Sequence, residues 1–214
     1  MAKYSLGPMG PFSGKVGILV GSSWRGINYM RSIPKKSKKA PTSQQLAHRA
    51  KFKTVVSFLR PLRSLLNAGY VDPKGQQSGI NLAVAEVLAN ATQGDYPDYT
   101  IDFGKVLFSK GTLNGAWNLQ VDVSQSGKMR LSWVDNSGSG IAHPNDQLVA
   151  LAYQPDKGLF VYHLEDGALR SAGEQEMQMP AEFAGSKVHL WTAFRSSDGS
   201  VFSTSVYAGE FTLA

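Results

Sequence analysis

The chain has 214 residues and a mass of 23.2 kDa, a length typical of one large domain or of a small domain with an additional segment. Hydrophobic residues make up 42% of the sequence and charged residues 18%, which supplies enough apolar material for a sizeable core and excludes a disordered chain. Cysteine is absent, so disulfide bridges, thiolate zinc sites, iron–sulfur clusters and cysteine nucleophiles are excluded.

The formal net charge of +6 conceals a strong asymmetry along the chain. Residues 1–71 contain 13 Lys and Arg and no acidic residue, whereas residues 72–214 contain nine Lys and Arg and all 16 acidic residues. A basic segment of this density attracts nucleic acid or another polyanion. It also suits docking on an acidic protein surface, either a partner's or that of another copy of the chain. A solvated basic surface without a partner is the third interpretation.

No segment suits a membrane or an export signal. The N-terminus has no apolar run of signal-peptide length, and the most apolar stretches, such as 17–20 and 55–59, are far shorter than the roughly 20 residues of a membrane-spanning helix. We therefore expect no membrane partner, and a protein that is cytoplasmic or part of an intracellularly assembled particle.

The first predicted element is a β-hairpin with strands 15–20 and 24–31, joined by Gly21-Ser22-Ser23. Its aromatic residues alternate with arginines, a composition that suits base stacking combined with phosphate contacts. The alternative is that Trp24 and Tyr29 cap the hairpin against a helix. The following segment, 33–41, holds four lysines between two prolines and is predicted to be an extended arm.

A helix is predicted to begin at Thr42, where Gln45 completes a capping box, and to end near Gly69. Pro61 interrupts the pattern, which predicts a kink near 56–60 or two helices meeting there. A weaker pattern predicts a second helix over 79–90. The apolar stripe of the first helix comprises Leu46, Ala50, Val55, Leu59, Leu62 and Leu66.

From Tyr96 onward the apolar residues alternate with a period of two, which is typical of strands. Asp166-Gly167 and Asp198-Gly199 are the strongest hairpin turns. We predict a mainly β, α+β fold, in which an antiparallel immunoglobulin-like β-sandwich follows a β-hairpin and one or two helices. The predicted strands are 99–108, 116–123, 129–134, 147–153, 159–164, 168–171, 187–194 and 201–207.

Catalytic and metal motifs are weak. Gly14-Lys15 lacks the hydroxyl residue of a phosphate-binding loop, and the four histidines, His48, His143, His163 and His189, have no second ligand at a suitable spacing. Asp95, Asp98 and Asp102 do not match a calcium loop and are interpreted as a solvated turn, with docking of a basic arm as the alternative. We expect no enzyme, no cofactor, no metal and no small-molecule substrate.

Several separated motifs resemble a family of roughly 200-residue proteins from Bacteroidota genomes that have no assigned function. These motifs are Ser13-Gly14-Lys15-Val16-Gly17, Trp24-Arg25-Gly26, Tyr29-Met30-Arg31-Ser32, Pro34-Lys35-Lys36, residues 44–52 and residues 90–97 followed by Ile101-Asp102-Phe103. The N-terminal part also resembles segments of structural proteins of phages that infect this phylum. The resemblance implies no catalytic residues.

The C-terminal part resembles fibronectin type III and immunoglobulin-like domains at residues 129–133, 188–194 and 203–206. The resemblance places Trp133 in the core. It implies binding or scaffolding rather than catalysis.

Together these observations predict three segments: a basic hairpin, arm and helix over 1–71, a linker with a short helix over 72–95, and a β-sandwich over 96–214. The leading hypothesis is a non-enzymatic interaction or assembly protein whose basic segment engages an acidic surface or another copy. The alternative is a nucleic-acid-binding protein that contacts phosphates through residues 1–71 without sequence readout. The candidate binding residues are Trp24, Arg25, Tyr29, Arg31, Lys35, Lys36, Lys38, Lys39, Arg49 and Lys53.

Overall fold

The computed structural model describes residues 2–3, 12–24, 26–35 and 39–214. The chain divides into two compact units, residues 1–43 and 44–214, while the three segments 1–71, 72–95 and 96–214 stay a prediction. The helices of the second unit contribute buried side chains to the same core as the later strands. The N-terminal unit therefore carries eight basic residues and no acidic residue, and the C-terminal unit carries 14 basic and 16 acidic residues.

The N-terminal unit is a small antiparallel sheet with the strand order β1-β4-β3-β2. Its strands are β1 (Ala2–Lys3), β2 (Gly14–Val16), β3 (Leu19–Trp24) and β4 (Ile27–Ser32). The predicted turn at 21–23 is wrong, because the chain turns instead at Gly17, with φ 57°, and at Gly26, with φ 78°. Gly21 lies inside β3, where Phe12 covers it so closely that a Cβ would lie 2.5 Å from the ring.

The C-terminal unit begins with three helices, one more than the one or two that the sequence predicts. These are α1 (Ser43–Leu59), α2 (Arg63–Gly69) and α3 (Gly79–Asn90). Pro61 lies in a 3-10 turn (Arg60–Leu62) between α1 and α2, so the predicted break at the proline is confirmed. The predicted stripe is buried only from Val55 onward, whereas Leu46 remains 39% exposed. On α3 the buried line runs through Gly79, Ala83 and Val87.

The remaining chain forms an antiparallel immunoglobulin-like β-sandwich, which confirms the predicted fold class. One sheet has the order β10-β9-β12-β13 and the other β11-β8-β7, and β5 and β6 form a separate short pair. The strands are β5 (Thr92–Gln93), β6 (Thr100–Ile101), β7 (Trp117–Asp122), β8 (Lys128–Val134), β9 (Gln147–Gln154), β10 (Leu159–His163), β11 (Glu174–Gln178), β12 (Lys187–Arg195) and β13 (Val206–Thr212).

Three of the predicted strands are wrong in place or type. Residues 99–108 contain only the two-residue β6 and a 3-10 turn. Residues 168–171 lead into another 3-10 turn (Arg170–Ala172), and the strand predicted there lies further along the chain, as β11. The last strand is β13 and not 201–207. Asp166-Gly167 closes no hairpin: a Cβ at Gly167 would lie 1.7 Å from the carbonyl oxygen of Leu148 in β9, so glycine serves a close backbone approach.

The β10-β9-β12-β13 sheet of the C-terminal unit is buried on both faces. Leu148 and Ala150 of β9 and Leu190 of β12 pack between the two sheets, in a core that also contains the predicted Trp133. Leu151 of β9 and Trp191 of β12 point to the opposite face and pack under the helices. Because helices cover the outer face, β9 and β12 have nearly continuous apolar sequences instead of alternating ones.

Candidate interaction surfaces

The strand register of the N-terminal unit brings predicted binding residues onto one side of the sheet. Trp24 is paired with Ile27, and Ser22 with Tyr29, while Val20 pairs with both Arg31 and Lys15. Directly paired residues share a face of an antiparallel sheet. Trp24, Ile27, Tyr29, Arg31 and Lys15 therefore project from the same side, which we call the aromatic-basic face.

The described residues of this sheet bury little surface. Among its described residues Gly21 alone is buried, Tyr29 is half-buried, and Trp24 is 52% exposed. A small antiparallel sheet is stable by itself only if one of its faces is hydrophobic and buried, or if it packs against a helix. The N-terminal unit thus presents aromatic and cationic side chains that its own fold leaves accessible.

Three of the predicted binding residues, Arg25, Lys36 and Lys38, lie outside the described residues. Lys35 and Lys39, at the two ends of the arm, are both exposed. The segment at 33–35 has no regular secondary structure, in agreement with Pro34.

Arg49 and Lys53 lie on α1 and therefore belong to the C-terminal unit. Both side chains are exposed, and their spacing of four residues places them on the same side of the helix. Phe52, also on this half of α1, is 46% exposed. It borders a groove of about 440 Å³ whose other wall is formed by Ile80, Val84 and Leu88 of α3.

A larger groove of about 510 Å³ lies within the C-terminal unit, between α1 and the β9–β10 hairpin. Its walls are Phe58, Phe103, Tyr153 and Phe160, and we call it the aromatic groove. The rings pack on one another: Tyr153 stacks on Phe160 at 4.3 Å and meets Phe58 edge-to-face at 5.2 Å. The remaining lining residues are Thr54, Ser57, Pro61, Thr100, Ile101, Pro155 and Gly158, so no charged side chain lines the groove.

The two histidines with titratable neighbours in the C-terminal unit, His189 and His163, make contacts within the fold. His189 is buried and its Nδ1 lies 2.8 Å from the Tyr207 hydroxyl, while burial lowers the pKa of its imidazole. His163 lies 3.0 Å from Asp166 at the surface, and this contact lowers the pKa of the aspartate. No group of three or more potential metal-binding side chains occurs in the described part of the chain.

The acidic turn at Asp95 and Asp98 is exposed. Asp102, which the sequence grouped with them, forms an ion pair of 2.9 Å with Lys105. A basic partner segment would compete with Lys105 for Asp102. Asp95 and Asp98 are therefore the better candidates in this turn for contact with such a segment.

Sequence reasoning missed two apolar features. One is the aromatic groove, whose walls come from α1, the 3-10 turn after β6, β9 and β10, so no local pattern unites them. The other is the turn between β2 and β3, where Ile18 is 78% exposed. An aliphatic residue directly after Gly17 was the available signal, since turns normally favour polar residues.

None of the helices in the described ranges has the length and hydrophobicity needed to cross a bilayer. A comparison with curated proteins finds no match. Among solved structures, the fibronectin type III domain of the human collagen alpha-1(XX) chain, studied in solution, is 13% identical. It superposes with a TM-score of 0.36 over 50% of this chain and 91% of that domain.

A family model matches residues 11–209, nearly the whole chain. This match confirms the resemblance to a family without an assigned function that the separated motifs predicted, while the Bacteroidota origin and the phage likeness stay predictions. The chain belongs to DUF6266, a family of unknown function.

Proposed function

We propose that the protein is a non-enzymatic interaction or assembly protein whose basic N-terminal unit engages an acidic protein surface, with another copy of the chain as the preferred partner. The observation that carries the proposal is the composition of this unit: eight basic residues, no acidic residue, and an aromatic-basic face on which Trp24, Lys15 and Arg31 are exposed. A surface with this content gains from desolvation by a partner and from opposite charge.

The charge distribution supports a second copy as the partner. All 16 acidic residues lie in the C-terminal unit. Within that unit, residues 72–214 hold all 16 acidic residues and only nine basic residues, whereas α1 and α2 hold no acidic residue. Contact between unlike surfaces of two copies is heterologous and extends into chains unless the geometry closes a ring.

The test replaces the arm lysines Lys35, Lys36, Lys38 and Lys39 by Gln. We expect self-association, measured by light scattering after size exclusion at about 50 mM salt, to be abolished, since the contact is electrostatic and only weakly screened at that ionic strength. The melting temperature remains nearly unchanged, because exposed charges contribute little to stability. The wild type should dissociate at about 500 mM salt.

A matched control removes the same number of positive charges from the C-terminal unit, at Lys74, Lys105, Lys110 and Lys157. These side chains are exposed. The control variant has the same net charge as the arm variant, so a specific arm contact requires that it still associates. Equal association of the wild type and the arm variant contradicts the proposal.

The second candidate function is nucleic-acid binding, favoured by the aromatic-basic face. Trp24 and Tyr29 on the same side as Lys15 and Arg31 form a surface on which bases stack while cations contact phosphates. This function predicts that the logarithm of the affinity for single-stranded DNA falls linearly with the logarithm of the salt concentration. Fluorescence anisotropy with a labelled oligonucleotide decides it: affinity that is independent of salt excludes this function.

A further inference from the structure

The turn end of the small sheet carries a cluster of exposed aliphatic side chains. Val16 is 62% and Ile18 78% exposed, and Leu19 and Ile33 are exposed as well. Val16 is directly paired with Leu19, and the amide of Ile33 donates to the carbonyl oxygen of Ile18 at 3.1 Å. Backbone pairing therefore holds these four residues together, and we call them the aliphatic tip.

The fold does not require this tip to be apolar. Gly17, with φ 57°, makes the turn, and the strands on either side are held by backbone hydrogen bonds. Exposed aliphatic surface is unfavourable in water in proportion to its area, and clustered surface of this kind marks an interaction site more often than scattered single residues do. The tip is thus suited to insertion into an apolar depression.

The aromatic groove offers a depression of matching chemistry. Its walls are four aromatic rings with Pro61 and Pro155, and none of its lining residues is charged. Its volume of about 510 Å³ is of the size of sites that enclose small apolar groups, which is enough for a few aliphatic side chains. An uncharged tip and an uncharged groove avoid the desolvation of unpaired charges.

We propose that the aliphatic tip of one copy inserts into the aromatic groove of a second copy, and that this contact gives the self-association its apolar anchor. The inference rests on the self-association in the proposed function and names the surfaces that meet. Tip and groove belong to the same chain, so a second copy supplies both complements. The basic residues adjoining the tip, Lys15 and Arg31, can then meet the exposed carboxylates Asp98 and Asp156, which lie two residues and one residue along the chain from the lining residues Thr100 and Pro155.

The test uses two full-length variants. Ile18→Asp places a charge at the centre of the tip, and Ser57→Trp fills the groove from an exposed position on α1. Each variant alone is expected to weaken self-association about tenfold or more, as for the loss of one buried aliphatic side chain. The control is His48→Trp, another exposed position on α1 that does not line the groove, which should associate as the wild type does.

Mixing the two variants provides the sharper readout. Ile18→Asp keeps its groove and Ser57→Trp keeps its tip, so an equimolar mixture forms heterodimers by native mass spectrometry or sedimentation at a concentration at which each weakened variant alone is largely monomeric. A mixture without heterodimers, or Ile18→Asp that associates as tightly as the wild type, overturns the proposal. Since both positions are exposed, melting temperatures equal to the wild type show that the fold is intact.

Salt dependence separates this inference from the proposed function. The neutral variant Ile18→Asn is expected to weaken association by the same factor at about 50 and about 500 mM salt, measured at protein concentrations high enough for the wild type to associate, whereas the arm variant reduces the steepness of the salt dependence. If the arm variant loses association and Ile18→Asp does not, the electrostatic function stands and the tip–groove contact fails. If the wild type is a monomer up to about 1 mM at both salt concentrations, both fail.

Discussion

The two compact units of this chain solve the problem of apolar surface in opposite ways. In the C-terminal unit, helices cover one face of the β10-β9-β12-β13 sheet and a second sheet covers the other, so Trp191 and Leu151 are almost fully buried. In the N-terminal unit, Trp24 and Ile18 remain more than half exposed in a sheet of similar strand number. The first arrangement is stable by its own packing, and the second is suited to packing against something else.

The largest effect is expected where the C-terminal unit buries charge. Arg170 is fully buried, its Nε donates to Asp146 Oδ2 at 3.1 Å, and its guanidinium lies 3.8 Å above the ring of Phe194. Burial lowers the pKa of the guanidinium, and the nearby Asp146 opposes this shift. Arg170→Met leaves the Asp146 carboxylate buried without its cation and should lower the free energy of unfolding by about 3–5 kcal/mol.

Urea denaturation measures this loss, and the variant with both Arg170→Met and Asp146→Leu is the control. Removing both charges eliminates the unpaired carboxylate, so the double variant should recover much of the stability. A single variant that loses less than about 1 kcal/mol would contradict the importance of this pair in the C-terminal unit.

A smaller but specific loss is expected at Gly167, where the chain passes close to β9. A Cβ there would lie 1.7 Å from the Leu148 carbonyl oxygen, so Gly167→Ala forces a backbone shift in the core sheet that costs about 1–3 kcal/mol or more. Gly115→Ala is the matched control, because a Cβ at Gly115 meets nothing within 4 Å. Equal thermal stability of the two variants would show that the close approach is easily relieved.

His189 predicts a pH dependence that originates in the C-terminal unit alone. Burial holds the pKa of its imidazole below the usual value of about 6.5, with Glu210 opposing and Lys187 reinforcing the shift. The unfolded chain therefore binds a proton that the folded chain resists, so stability decreases as the pH falls below about 6.5. Denaturation curves of the wild type and His189→Gln between pH 8 and 5 measure it: the wild type should lose more stability than the variant over this range.

The smallest effect on stability is expected in the N-terminal unit. Trp24→Ser removes a side chain that is 52% exposed and should change the free energy of unfolding of the whole chain by less than about 0.5 kcal/mol. The same variant should weaken partner binding, since an exposed aromatic residue is a typical anchor of an interface. A large drop in melting temperature would show instead that Trp24 belongs to a stabilising core.

The sequence was informative where local chemistry decides the structure. Pro61 predicted the break between α1 and α2, and the apolar spacing predicted α3 over 79–90. It was uninformative where tertiary contacts decide. β11 alternates Glu and Gln with one Met, so its inward residues, Gln175 and Met177, gave little apolar signal. Asp166-Gly167 was predicted to be a hairpin turn, but glycine is required there because the backbone passes close to Leu148.

The candidate surfaces were predictable only in part. The aromatic and basic composition of 24–31 was evident, but the misplaced turn at 21–23 implied a different register, so the sequence could not show which residues share a face. The turns at Gly17 and Gly26 determine that register. The groove was not predictable, since Phe58 and Tyr153 come together only through the packing of α1 on β9.

The order of elements along the chain has a consequence for biosynthesis. The helices leave the ribosome before the strands that cover them, because α1, α2 and α3 precede β9 and β12. At translation rates of roughly 5–20 residues per second, the sheet that buries Leu59, Leu65 and Leu66 is synthesised on the order of 10 s after these leucines. The nascent chain therefore exposes this leucine-rich surface to chaperones, or to the helices of neighbouring nascent chains, before the sandwich is complete.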